Sequence, residues 1–158
     1  MGSDPRSHLR RTRLLIAVDT NILVYAHRED SPFHAAAARR LAKLAEGLAA
    51  WAIPWPCVHE FLAIVTHPRI YEPPTPTERA LEQVQAWLES PTLVLLAESE
   101  QHWSELREQV LTGHANGGRI HDARIAALCR QHGVRELWSA DRDFGRFPGL
   151  TVINPLVR

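Results

Sequence analysis

Leu14-Leu15-Ile16-Ala17-Val18-Asp19-Thr20-Asn21 decides how the rest of the chain is read. An apolar run with no polar alternation reads as a strand buried on both faces, as in parallel sheets. A charge directly after such a run falls at the carboxyl edge of the sheet, where open α/β folds gather functional groups. Asp19 also suits the N-cap of a following helix. Thr20 and Asn21 beside it are fit to orient a ligating carboxylate.

Outward from this stretch, an amphipathic segment continues to Ala26. Ser31-Pro32 predicts a helix start, serine at the N-cap and proline first in the helix. The helix is expected from Phe33 to Ala50, with Leu41, Leu44 and Leu48 apolar. Trp51-Ala52-Ile53 reads as a strand, and Pro56 can open a helix over Cys57 to Thr66. The proline-dense stretch from Pro68 to Pro76 is neither helix nor central strand. Thr77 to Glu89 is a predicted helix with Leu81, Val84 and Leu88 on one face, followed by a buried strand, Leu93 to Leu96. Ser99 is expected to cap a helix whose core side carries Leu106 and Val110. After a loop from Gly113 to Gly118, Ile120 to Gln131 predicts a helix closed by Gly133. Leu137-Trp138-Ser139 and Thr151-Val152-Ile153 are the last strands. Strands alternating with helices, and no tight hairpins, predict an α/β fold with a parallel sheet covered on both faces.

The totals bound the function. At 158 residues, 45% hydrophobic and 23% charged, the chain suits one domain with a real core. Its formal net charge is zero, so no overall field announces a nucleic-acid binder. Lys43 is the only lysine; the remaining basic charge is arginine, which a biased genomic base composition also explains. No apolar run approaches the roughly 18 residues of a membrane span. Residues 1–13 read as a flexible N-terminal arm without a signal-peptide core, and the domain is expected over 14–158. Cys57 and Cys129 fall in helical patterns and fit the reduced, buried thiols of a cytosolic protein.

Four acids carry the chemistry: Asp19, Glu60, Asp122 and Asp141, with Asp143 close behind. Glu60 stands among core-type residues, Val58, Phe61 and Leu62, although a solvated helix face remains an alternative. Asp122 lies in the first turn of its helix, where the dipole alone favours an acid by about 0.3–1 kcal/mol. Asp141 and Asp143 also suit a turn. The predicted topology gathers all five at one end of the sheet, where they repel one another unless a cation lies between them. His59-Glu60 begins like a zinc-protease motif, but the second histidine position is Ala63. C-x-x-C, G-x-S-x-G and P-loop patterns are absent, and position 21 is Asn where a haloacid-dehalogenase-like phosphatase needs Asp. Hard oxygen ligands suit magnesium or manganese, and an all-carboxylate crevice of this kind handles phosphates. Phosphodiester hydrolysis is the expected reaction.

Val18-Asp19-Thr20-Asn21, Glu60 in its helix, Ile120-His121-Asp122-Ala123 and Ser139-Ala140-Asp141-Arg142-Asp143-Phe144 resemble PIN-domain nucleases. More closely, the chain resembles VapC toxins of VapBC toxin–antitoxin modules, from about Leu14 to Leu156. The likeness includes Thr66-His67-Pro68-Arg69-Ile70, Phe147-Pro148-Gly149-Leu150 and Asn154-Pro155. It implies a three-layer α/β/α sandwich and a Mg2+- or Mn2+-dependent endoribonuclease. It also implies Asp19, Glu60, Asp122 and Asp141 as metal-binding and catalytic acids, Asp143 as an auxiliary metal ligand, and Thr20, Asn21 and Ser139 in support. Implied partners are RNA, a VapB-type antitoxin whose arginine pairs with the acids, and a second copy of the chain, in a prokaryotic cytoplasm. Many relatives carry asparagine where this chain has Gly118 or Arg119. Arg119, Arg124, Arg142 and Arg146 are candidate RNA phosphate contacts, with Arg119 alternatively shielding the acids. Trp51, Trp55 and Trp138 are expected in the core. A housekeeping PIN nuclease of RNA maturation, a structure-specific DNA nuclease and a non-catalytic PIN-fold binding module are the alternatives.

Overall fold

Five short strands, β1 (Ile16–Val18), β2 (Trp51–Pro54), β3 (Leu93–Leu96), β4 (Glu136–Trp138) and β5 (Thr151–Ile153), organise the computed structural model, which describes residues 15–157. All neighbours pair in parallel, in the order β3-β2-β1-β4-β5. Helices α1 (Thr20–His27), α2 (His34–Glu46), α3 (Trp55–Val65), α4 (Thr77–Leu88), α5 (His102–Thr112) and α6 (Arg119–Gln131) connect them. A 3-10 turn, Arg142–Arg146, precedes β5.

The strand order explains the layers. From β1 the chain moves outward through β2 to β3, then returns to lay β4 and β5 on the other side of β1. Right-handed crossovers running in opposite directions put their helices on opposite faces of a sheet. Accordingly α1 packs on α2 and α3, and α3 on α4, while α5 packs on α6. The product is the expected three-layer sandwich with a parallel central sheet. The reversal falls between β1 and β4, and parallel sheets open a crevice at the carboxyl ends of such strands. The centre of the sheet is well covered: Ala17, Val18, Trp51, Ala52, Ile53 and Leu137 are at most 1% exposed. Phe61 meets Trp87 edge-on at 4.7 Å, tying α3 to α4.

Several expectations about boundaries and faces change. Residues 1–14, which include the expected arm and the first residue of the expected strand, lie outside the described residues. The α2 helix begins at His34, because Ser31 Oγ accepts from the Phe33 amide and closes a turn first. It ends at Glu46, before Gly47, which leaves Leu48 wholly exposed instead of on the core face. In α4 the buried face is Ala80, Val84 and Trp87, with Leu81 and Leu88 exposed. Ser99 likewise closes a turn ahead of α5, accepting from the Gln101 amide. β3 is an edge strand, so Val94 is 41% exposed where a buried strand is expected. Among the described residues no helix is long and apolar enough to cross a membrane.

Gly113, ending α5, has no room for a side chain. A Cβ there would lie 2.5 Å from the Phe147 ring and 2.9 Å from the Gln109 carbonyl oxygen. Phe147 is 1% exposed and closes the 3-10 turn that follows Asp141. Gly113→Ala should therefore destabilise the fold by about 1–3 kcal/mol, an overpacking cost, read as a lower urea midpoint. An unchanged midpoint would mean that the Phe147 ring yields freely.

Candidate active site

Asp19 is the fixed point of the crevice. Its backbone N–H continues the β1–β4 ladder by donating to the Trp138 carbonyl at 2.9 Å, and its extended backbone makes it the N-cap of α1. The carboxylate is 6% exposed by residue and is surrounded by donors. Ser139 Oγ donates to Oδ2 at 2.7 Å, and the Thr20 amide donates to Oδ1 at 2.8 Å. Asn21 Nδ2 approaches Oδ2 at 3.5 Å and donates to Ser139 Oγ at 3.2 Å, while Asn21 Oδ1 accepts from the Ala140 amide at 3.1 Å. Thus Asn21 clamps the end of β4 to the start of α1. Ser139 Oγ also accepts from the Asp141 amide at 3.0 Å, and Asp141 Oδ1 from the Asp143 amide at 2.9 Å. Thr20 Oγ1 reaches the other way and donates to Glu60 Oε2 at 2.7 Å. Thr20, Asn21 and Ser139 thus form one hydrogen-bonded set with Asp19 and Glu60.

The remaining acids gather around one cation. Arg119, in the first turn of α6, directs Nη1 to Asp122 Oδ2 at 3.3 Å and to Asp141 Oδ2 at 3.9 Å. Its Nη2 pairs with Asp143 Oδ2. The five acids thus form two sets: Asp19 with Glu60, and Asp122, Asp141 and Asp143 about Arg119. A cleft of about 390 Å3 lies between them, lined by Asp19, Glu60, Asp122, His59, His121 and Arg124, among others.

Burial pushes the Asp19 carboxyl up to about 6, against the pull of its Ser139 and Thr20 donors, and the nearby charge of Glu60 adds to the rise. Burial also raises Asp122, while Arg119 pulls it down. An anion removed from water with another beside it favours a neutralising cation. The acids offer oxygen donors alone, a set that fits Mg2+ or Mn2+. As the side chains stand, no three His, Cys, Asp or Glu groups converge on one metal position among the described residues. An ion would compete with Thr20 for Glu60 and with Arg119 for Asp122.

Glu60 departs from its expected setting. The residue is exposed, so its place beside the cleft, not burial among apolar neighbours, is what marks it. The other arginines differ in availability. Arg124 lines the cleft and pairs with Glu98 at 3.1 Å, with its Nε buried and unbonded. Arg142 is exposed, and Arg146 donates to the Asp143 carbonyl at 3.3 Å. Trp51 and Trp138 are core residues as expected, but Trp55 is 36% exposed and stacks on His59 with ring centres 6.2 Å apart. His59 and His121, to which the sequence assigns no role in the site, also line the cleft. Cys57 and Cys129 are fully buried, and burial pushes both thiols up, so neither is primed as a nucleophile. A larger depression of about 470 Å3, between the end of α1 and Pro73–Pro76, lies apart from the acids, and its Arg28 is committed to Asp30 at 2.6 Å.

The chain is a parallel five-strand α/β/α sandwich with acids lining a cleft at its switch point. The PIN domain family matches residues 16–150, and the chain belongs to that family. Within it the relatives are VapC ribonucleases: the chain is 36% identical over 142 residues to Ribonuclease VapC43 of Mycobacterium tuberculosis, covering 90% of this chain and 96% of that one. It is 31% identical over 137 residues to Ribonuclease VapC48 of the same organism, covering 87% and 94%. Among solved structures, VapBC2 from Rickettsia felis, bound to a DNA fragment from its promoter, aligns with a TM-score of 0.62 at 20% identity, covering 88% of this chain and 97% of that chain, a likeness of fold.

The raised Asp19 carboxyl makes a prediction about stability. Its folded value, about 6, lies above the ordinary 3.8, so the folded state binds the proton more tightly. The associated stability, about 3 kcal/mol at most, is present below pH 4 and is lost as pH rises to 6. In chelator, the melting temperature of the protein should fall across that window relative to Asp19→Asn. Parallel pH profiles for the two proteins would refute the assignment.

Proposed function

We propose that this chain is a Mg2+- or Mn2+-dependent endoribonuclease, the toxin of a VapBC-type module, that hydrolyses phosphodiester bonds in RNA. One observation carries the reading: acids from α1's cap, α3 and α6 line one cleft, and Arg119 ties Asp141 and Asp143, after β4, to the Asp122 on its wall. Its kinship with VapC ribonucleases and the VapBC assembly of a structural neighbour support the toxin role, an antitoxin partner and a cytoplasmic setting. On this reading the chain also forms a homodimer.

Asp19, Glu60, Asp122 and Asp141 would hold the cation, with Asp143 auxiliary. When bound, it would supply charge neutralisation at the scissile phosphate and a water made acidic enough to attack. The protein's own groups do the rest. Ser139 and the Thr20 amide fix the Asp19 carboxylate, and Thr20 Oγ1 holds Glu60. Pre-set orientation of this kind removes reorganisation from the reaction. His59, His121 and Arg124 line the approach, where donors can meet phosphate oxygens. Unpaired RNA suits the cleft's rim, because loops present bases free to stack, as duplex does not. Trp55, exposed and backed by His59, is the aromatic face available to such a base.

Cleavage of single-stranded RNA should require Mg2+ or Mn2+ and be lost in Asp19→Asn, while Thr20→Val should reduce it by about 10–100-fold as a support lost behind a ligand. Equal cleavage by wild type and Asp19→Asn would sink the site. Trp55→Ala should weaken binding of a single-stranded oligoribonucleotide by about 1–3 kcal/mol, measured by anisotropy in chelator. Undiminished affinity would remove Trp55 from the substrate path.

A further inference from the structure

Arg119 is oddly placed for a structural arginine. It occupies the first turn of α6, where the helix dipole disfavours a cation. What holds it there is three carboxylates from two separate stretches of chain, Asp122 on its own helix and Asp141 and Asp143 after β4. A planar guanidinium can serve several carboxylates at once and keeps its charge at any physiological pH. These pairings push its own proton affinity up, chiefly through Asp122 and then Asp143. Gly117, at φ +54°, and Gly118 lead into the helix with open space where a Cβ would be, so the turn delivering Arg119 is not crowded.

We infer that Arg119 is the chain's own second cation beside the cleft, offsetting charge on Asp122, Asp141 and Asp143 so that the acids hold one divalent ion, not two. The inference rests on the metal-dependent reading above and deepens it. Two-metal nucleases place a second ion where charge builds on the leaving oxygen. Here a guanidinium 39% exposed at its side chain stands beside the acids, with its open portion free to meet a phosphate oxygen. Among the described residues no three of the acids converge on one metal position as they stand, while the guanidinium meets three of them. The arrangement commits the cleft to one exchangeable ion and one built-in charge.

Mn2+ titration of the full chain, read by the electron paramagnetic resonance of free Mn2+ and by calorimetry, tests this without reference to activity. Wild type should bind one Mn2+ per chain. Arg119→Met should bind two, or bind one at least about tenfold more tightly, since a competing charge has gone. Arg119→Lys, which keeps the charge, should behave as wild type and guards against a folding defect in Arg119→Met. Unchanged stoichiometry and affinity in Arg119→Met, or two ions in wild type, would overturn the role of Arg119 while leaving the metal site standing. No Mn2+ binding by any of the three would overturn the metal-dependent reading and this inference with it.

Discussion

The pairing of β1 with β4 is the constraint on which the site depends. Three registered pairs, Ile16 with Glu136, Ala17 with Leu137 and Val18 with Trp138, align strands far apart in sequence, and the ladder extends one bond further through the Asp19 amide. That extension brings Asp19 and Ser139 side by side, close enough for a 2.7 Å hydrogen bond. Shift β4 by one residue and Ser139 would leave the crevice, because successive side chains point to opposite faces. Asn21 then locks the register from the side by bonding Ser139 Oγ and the Ala140 amide. The geometry around Asp19 is thus an outcome of sheet register before it is one of carboxylate chemistry.

Around that fixed point the acids are held with unequal firmness. Asp19 is buried and surrounded by donors, at the energetic cost of desolvating an anion. Glu60 is exposed and tethered through one hydroxyl, so it can turn at little cost. Asp122, Asp141 and Asp143 are fixed by a shared guanidinium. A rigid acid, a swinging acid and a set already neutralised behave differently when a cation or a phosphate arrives, although sequence makes them look equivalent.

Much of this was legible in advance, for physical reasons. The uninterrupted apolar run before Asp19 could be little other than a buried parallel strand, and alternation with helices implied the sandwich and the gathering of acids. Ser31 and Ser99 misled because a serine caps a turn as readily as a helix, and helix starts moved accordingly. Leu81 and Leu88 misled because helical spacing fixes which residues share a face but not which face turns inward; Ala80 and Trp87 took the core. Strand order is long-range information, so Val94 gave no local sign of lying on an edge. The partition of the acids was equally hidden, since it follows from where one arginine side chain comes to rest.

The distance along the chain between the two central strands has one more consequence. Asp19 and the Ser139 that orients it lie 120 positions apart along the chain, at the ends of strands that only the folded sheet brings together. A chain that stops short of β4 possesses Asp19, Glu60 and Asp122 and yet lacks the serine and the register that assemble them. A break anywhere between these strands would therefore separate Asp19 from the serine and the register that set it.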